Sequence, residues 1–511
     1  MREKKMLEAS SKIDDNAIVG KVEPRVFGTL IEQLGRGVYG GLYDPDSEYA
    51  DEEGFRTDVI ELVKELGITT VRWPGGNFVS GYKWEDGVGP KDKRPRRLDL
   101  AWHSTETNQF GLHEMERWLQ KAGNLELMAA LNMGTRGLQS ALDFLEYANI
   151  PSGTALADQR IKNGAPKPFN IRLFCLGNEM DGKWQLGHLD QVEYAKKVAR
   201  VAAGMRQMDP HLELIGCGSS NHGMATFGEW EDTLLQYAYD EIDFVSCHAY
   251  YHADPGKLAT FLGSAVDMDR FIDEVVSCID ASKAKLRSNH EVNISFDEWN
   301  VWYQGSEPSK VPEGLNNWPV APHLLEDIYT VTDAVVVGDF LITLLKHADR
   351  VKAASIAQLV NVIGPIMAPA HAPAYRQTTF YPFAEAASLT KNGRVLTEVS
   401  AFPKLENEKY GTIDVIDSVS VYCANNSLAI FIINRSTDED INYKIALPAD
   451  HKYSEIVKAQ TLHDDNFYAQ NTAENNSRVI LNDNDSIKLD LQQKKLEINL
   501  PRNSWTVINI K

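Results

Sequence analysis

A chain of 511 residues outgrows a single compact core, so two or more domains are expected. Its 43% hydrophobic and 24% charged residues are ordinary for a soluble globular protein, and a net charge of −20 disfavours nucleic acid and anionic membranes as partners. The chain has no apolar run of the roughly 18 residues a membrane span needs, and the start, Met1 to Glu8, lacks the apolar core of a secretion signal. Five scattered cysteines without a C-x-x-C spacing read as reduced, buried residues of a cytoplasmic protein, with neither a zinc knuckle nor a redox pair.

From about residue 24 to 390, short apolar runs alternate with amphipathic stretches. Phe27 to Glu32 reads as a strand. Val59, Leu62, Val63 and Leu66 then recur at helical spacing, and Gly67 stands where a C-terminal cap belongs. Further strands are expected at 68–73, 125–132, 171–179, 212–218, 244–250, 292–298 and 351–360. Strands alternating with helices imply a parallel sheet, and eight in series suggest a closed (β/α)8 TIM barrel. Along 292–298, strict alternation puts Val292, Ile294 and Phe296 on the face of Glu298, filling the interior. That leaves Asn293, Ser295 and Asp297 facing the helices, an unusually polar surface for that position. After about 391 the strands shorten and Asn, Asp and Ser clusters separate them, as in an all-β sandwich of jelly-roll type. The first 23 residues are too few for a domain and are expected to add an edge strand to that sandwich.

The predicted C-terminal strand ends carry Glu32, Arg72 with Asn77 beyond it, Asn132, Asn178-Glu179, Ser219 to Asn221, His248 with Tyr250, Glu298 and Gln358. Any one of these suits a structural role. Polar groups at nearly every strand end are costly unless they face a ligand pocket. Glu179 and Glu298 close the fourth and seventh runs, so they can face one another across the barrel mouth. A protonated carboxyl and an ionised one are the minimal equipment for cleaving a glycosidic bond. Trp299 and Trp302 follow Glu298, Trp102 and Trp184 lie in predicted loops, and indole rings cover the apolar C–H faces of sugars.

Other motifs are weaker. Gly35 to Gly40 matches G-x-G-x-x-G, but no amphipathic helix follows, so a dinucleotide site is not expected. His248 and His252 are four apart, a metal-ligand spacing only if helical, and they begin at a strand end. No G-x-S-x-G is present. No metal or cofactor is therefore expected.

The stretches Phe27-Gly28 through Ile31 to Arg36, Arg72 to Phe78, Trp84 to Pro90, Gly177 to Gly182 and Phe296 to Asn300 closely resemble the α-L-arabinofuranosidases of glycoside hydrolase family 51. They occur in register from about residue 24 past 380. The resemblance implies a retaining exo-hydrolase of terminal α-L-arabinofuranosyl residues in arabinan, arabinoxylan or their oligosaccharides. It makes Glu179 the acid/base and Glu298 the nucleophile. It also implies that Glu32, Asn77, Asn178, Tyr250 and Gln358 bind the sugar ring. His248 would lie beside the nucleophile, with Trp102 and Trp302 shaping the pocket. A homo-oligomer, typically a hexamer, is implied as well. Ala249 stands where a larger polar residue is expected, which leaves fine substrate preference open. A β-xylosidase, an endoglucanase and an inactive carbohydrate-binding barrel remain the alternatives.

Overall fold

Eight parallel strands close into a barrel in the computed structural model, which describes residues 6–304, 310–449 and 451–511. Of the N-terminal stretch considered above, residues 1–5 lie outside the described part. The barrel strands are β2 (Gly28–Leu30), β3 (Thr70–Trp73), β4 (Glu126–Ala130), β5 (Leu173–Leu176), β6 (Glu213–Gly216), β7 (Phe244–Tyr251), β8 (Asn293–Val301) and β9 (Val351–Ala357). A longer strand, β1 (Leu7–Lys21), precedes them. Each barrel strand falls within or around one of the eight apolar runs. The helix expected after β2 spans Thr57–Leu66, and Gly67 closes it in the left-handed conformation at φ 81°.

Met128, Ala130, Leu173, Cys175, Ile215, Phe244 and Ala353 form one cluster that fills the barrel below its mouth. Their neighbours along the strands join the larger core between barrel and helices. Strand β8 departs from simple alternation. Ser295 pairs with Ser246 of β7, but the next matched pair is Glu298 with His248, so β8 carries one extra residue there. The same shift appears against β9, between Phe296 and Trp299. This bulge overturns the expected facing of β8. Phe296 packs edge-on against Phe271 of the outer helix Ala265–Leu286, with ring centroids 5.9 Å apart. Asp297 contacts residues of β3, β5 and β7 instead. The bulge thus presents two consecutive carboxylates, Asp297 and Glu298, toward the mouth.

Beyond the barrel lie β10 (Arg394–Ala401), β11 (Ile416–Tyr422), β12 (Leu428–Asn434), β13 (Ile441–Ala446) and β14 (Ser504–Ile510), part of a ten-stranded sheet that builds the all-β domain. Strand β1 is an interior strand of this sheet, not the expected edge. It pairs antiparallel with β10 on one side and parallel with β13 on the other. Strand β12 is apolar at six consecutive positions because both its faces are covered. Leu428, Ile430 and Ile432 enter the sandwich core, whereas Ala429, Phe431 and Ile433 face the barrel.

The helix Val331–Lys346 joins the two halves. It is buried all round, which fits its nearly continuous apolar sequence. Gly338 lies against Trp505, where a Cβ would come within 2.2 Å of the indole. On the same helix Asp339 receives Arg435 Nε at 2.8 Å and Nη2 at 3.0 Å, and Arg435 Nη2 also donates to Asp417 at 2.8 Å. Arg435→Met leaves Asp339 buried without its cation. We expect it to cost about 3–5 kcal/mol, read as a lower urea midpoint, while turnover per folded molecule is retained.

Candidate active site

The barrel mouth is lined by Glu32, Asn77, Trp102, Glu179, Tyr250, Glu298, Trp302 and Gln358, with Leu34, Gly76, Leu325 and Ile363 completing the wall. Two other expected residues, Asn178 and His248, adjoin this lining. Asn178 Nδ2 donates to Asn77 Oδ1 at 3.2 Å, and His248 Nδ1 lies 3.0 Å from Glu179 Oε1. The two glutamates and the eight residues that the family resemblance sets around the sugar therefore gather at one place, whereas Asn132 bonds to the Tyr82 carbonyl and Thr135.

Glu298 is held from two sides. Arg72 Nη1 donates to its Oε1 at 2.6 Å and the Tyr250 hydroxyl donates to its Oε2 at 2.7 Å. The guanidinium can only donate and the Tyr250 hydroxyl donates here, so both oxygens of Glu298 are engaged as acceptors. Arg72 Nη2 donates to Asn178 Oδ1 at 2.8 Å, which ties the residue before Glu179 to the same guanidinium. Burial of the Tyr250 hydroxyl beside Glu298 pushes its pKa well up, so it stays a donor.

Glu179 follows the short strand β5, where the chain turns through Gly177 at φ 107° and Glu179 itself sits at φ 44°. A non-glycine residue in the left-handed region carries local strain, and such residues concentrate at functional sites. Its Oε2 accepts from the indole N–H of Trp184 at 2.6 Å, and that indole is half exposed at the rim. Burial, then the nearby Glu298 charge, pushes the Glu179 carboxyl above its ordinary value, against the pull of His248. One oxygen from each glutamate and a ring nitrogen of His248 lie within 4.8 Å of one another. Three such groups can also suit a metal ion. Burial fails to neutralise His248, because Glu298, Asp297 and Glu179 together push it up to about 10.

Glu32 forms the floor on the opposite side. Its Oε1 accepts from the Phe78 amide at 2.8 Å and from the Trp102 indole at 2.7 Å, and its own amide donates to Gln358 Oε1 at 3.1 Å. Gly76 allows this approach. It sits at φ 58°, and a Cβ there would lie 2.0 Å from Glu32 Oε2. Tyr250 and Trp302 meet edge to face at 5.2 Å. Trp299, by contrast, points outward and stacks on Phe383, so it belongs to the core. Ala249 also faces the outer core, between the inward His248 and Tyr250, and does not line the pocket. His252 is partly exposed and its Nε2 lies 3.4 Å from Asp254, so it forms no cluster with His248.

The family models "Alpha-L-arabinofuranosidase 1 domain" and "Alpha-L-arabinofuranosidase C-terminal domain" match residues 62–257 and 297–504. An exo-α-(1→6)-L-arabinofuranosidase from Bifidobacterium longum is 57% identical over 511 residues, covering 99% of this chain and 98% of that relative. The chain belongs to the α-L-arabinofuranosidases of glycoside hydrolase family 51. Another similar relative is an intracellular exo-α-(1→5)-L-arabinofuranosidase from Streptomyces lividans, 49% identical across 98% of this chain and 75% of the relative. Among solved structures, a family 51 α-L-arabinofuranosidase from Bifidobacterium longum superposes with a TM-score of 0.94 at 47% identity, covering 99% of this chain and all of that one. The Thermotoga maritima α-L-arabinofuranosidase, solved as an arabinose complex, gives 0.85 at 30% identity over 98% and 99% of the two chains.

Sequence reading of this arabinofuranosidase left three site residues without a role. Arg72 was visible as a charged strand end, and its link to both glutamates comes from the closure of the barrel. Strict alternation puts Asp297 on the outer face, and only the unusual polarity of Asn293, Ser295 and Asp297 hints that the bulge in β8 turns it inward. Trp184 was visible only as one loop tryptophan among several. Among the described residues, no helix is long and apolar enough to cross a membrane.

Proposed function

We propose that this arabinofuranosidase releases terminal non-reducing α-L-arabinofuranosyl residues from arabinan, arabinoxylan and their oligosaccharides by double displacement. The observation that carries the reading is the short separation of Glu179 and Glu298, within 4.8 Å between nearest carboxyl oxygens. Retaining enzymes hold their carboxyls roughly 5–5.5 Å apart, whereas inverting ones need about 6.5–9.5 Å to admit a water.

In the first step Glu298 attacks the anomeric carbon while Glu179 protonates the departing oxygen. In the second, Glu179 deprotonates a water that displaces Glu298. Arg72 and Tyr250 fix the attacking carboxylate in one orientation, so little rotation is needed to reach the sugar. Asn178, Asn77, Glu32 and Gln358 supply hydroxyl partners around the ring, and Trp102 and Trp302 cover its apolar edges. The exo mode and the arabinofuranosyl substrates draw support from the names of the similar relatives, two of which specify different linkages. Two carboxyl groups suffice for this chemistry, without a cofactor. A cytoplasmic location and a hexameric assembly belong to the same proposal, and light scattering after gel filtration tests the second.

The test of the reaction is a panel of aryl α-L-arabinofuranosides, aryl β-D-xylosides and α-(1→5)- and α-(1→6)-linked arabino-oligosaccharides, with the first-formed product anomer followed by NMR. Turnover confined to arabinofuranosides with the α-anomer appearing first is expected. Preferential xyloside cleavage or a β-anomer product contradicts the proposal.

A further inference from the structure

Three carboxyl groups and two cations make one buried lattice at the barrel mouth. Arg72 Nη1 pairs with Glu298 at 2.6 Å, and its Nε faces Asp297 Oδ2 at 3.7 Å. His248 Nε2 faces Asp297 Oδ1 at 3.0 Å, while its Nδ1 faces Glu179 Oε1 at 3.0 Å and Glu298 Oε2 at 3.6 Å. Asp297 is fully buried, and Arg72 and His248 are nearly so. Asp297 is thus the one acid in the lattice that contacts both cations and does not reach the pocket. The chemistry proposed above gives it no step.

We propose that Asp297 is a positioning residue that fixes where the catalytic proton resides: by holding His248 as an imidazolium from behind, it keeps the proton of Glu179 on Oε2, the oxygen open to the leaving group. The inference rests on Glu179 being the acid. With Asp297 and Glu298 ionised against Arg72 and His248, the lattice is neutral only when Glu179 carries a proton. His248 Nδ1–H then donates to Oε1, so that oxygen is occupied as an acceptor. The proton is left on Oε2, beside the half-exposed Trp184 indole, which the leaving oxygen can displace. When that proton passes to the leaving group, Glu179 becomes the carboxylate that accepts a proton from water in the second step, and the imidazolium steadies its charge.

The other titratable groups around this lattice do not supply the same service. Cys175 of β5 donates its thiol to Asp297 Oδ2 at 3.6 Å, and burial pushes that thiol up, so it is neutral. Cys217, just after β6, and Cys247 of β7 are buried neutral thiols as well. Tyr250 is a neutral donor to Glu298. Asp181 is occupied by the Ser220 amide at 3.0 Å and the Ser220 hydroxyl. Glu32 sits across the pocket on Trp102 and Phe78, where burial pushes its carboxyl well up. Asp297 itself is held low despite burial, because Arg72 and His248 outweigh the desolvation.

The experiment is Asp297→Asn, compared with wild type across substrates of graded leaving-group ability and across pH. Removing one negative charge leaves the lattice net positive when Glu179 and His248 are both protonated, so the first proton leaves at lower pH. The basic limb of kcat/KM is expected about one unit lower. A neutral His248 would also turn the remaining proton of Glu179 toward Nδ1. Activity on oligosaccharides should therefore fall about 10-fold or more beyond any loss on activated aryl arabinofuranosides. Equal losses on all substrates with an unmoved basic limb would overturn the proposal and leave Asp297 a structural residue. Should the variant not fold, 15N-histidine NMR of the wild-type enzyme decides, with His248 assigned by its absence in His248→Gln. Both ring nitrogens protonated at about pH 7.5 supports the inference, and a neutral ring there refutes it. If Glu179→Ala shows no leaving-group dependence, the underlying reaction scheme fails first. A normal Glu179→Ala with an unaltered Asp297→Asn sinks this inference alone.

Discussion

Glu298→Ala should remove essentially all turnover, on the order of 10⁴-fold or more in kcat, on every arabinofuranoside whatever its leaving group. The reason is geometric as well as chemical. Glu298 is the carboxylate into which Arg72 and Tyr250 both donate, at 2.6 and 2.7 Å, and no other acid occupies that position. Its removal takes away the atom that forms the covalent intermediate, so an activated leaving group gives no relief. Glu298→Gln controls for volume and should be equally inactive, because an amide oxygen is a poor nucleophile. Arg72 retains its contacts to Asn178 and Asp297, so the barrel should remain folded. A residual rate within 10-fold of wild type by progress-curve assay would exclude Glu298 as the nucleophile.

Glu179→Ala should behave in the opposite way toward leaving groups. For an oligosaccharide, whose departing alkoxide needs a proton, the loss should reach about 10²–10⁴-fold. For a dinitrophenyl arabinofuranoside the first step needs little protonation, so the covalent intermediate should accumulate and slow hydrolysis becomes limiting. Azide, which needs no general base, should then accelerate turnover and yield an arabinofuranosyl azide of retained configuration. The pH profile carries the same assignment. Burial and Glu298 raise the Glu179 carboxyl, so it keeps its proton above the range of an ordinary glutamate. The basic limb of kcat/KM in the wild type should accordingly lie above that range, and Glu179→Ala should abolish it. Equal losses on oligosaccharide and aryl substrates would reject Glu179 as the acid.

Much of this site could be read before any coordinates, because parallel barrel strands write their polar ends into the sequence as interruptions of apolar runs. The eight strands and the two glutamates follow that rule, as do Glu32, Asn178, His248, Tyr250 and Gln358, whereas Asn77, Trp102 and Trp302 lie in loops and rest on the family resemblance. What failed was local geometry that alternation cannot encode. One inserted residue in β8 reverses the facing of Ile294 to Asp297, and the polar trio Asn293, Ser295 and Asp297 was the visible symptom. The excess polarity marked positions that face the barrel interior and not the helices. Likewise β1 was expected at an edge because the N-terminal segment is short. Its two neighbours, β10 and β13, are separated from it by hundreds of residues, and no local pattern reports such pairing. Arg72 belongs to the same class. A buried arginine is costly unless it is paired, yet which acids pair with it depends on strands distant in sequence. Ala249 shows the converse, since a departure from the family pattern proved to face the helix layer and not the sugar.

The division of labour between the two glutamates is tested most directly by trapping the intermediate. A slow arabinofuranosyl donor with an activated leaving group, incubated with the enzyme and followed by peptide mapping, should place one sugar on the peptide Asn293 to Val301, at Glu298. A sugar on Glu179, or complete turnover with inversion and no adduct, would contradict the double-displacement scheme built on these two residues.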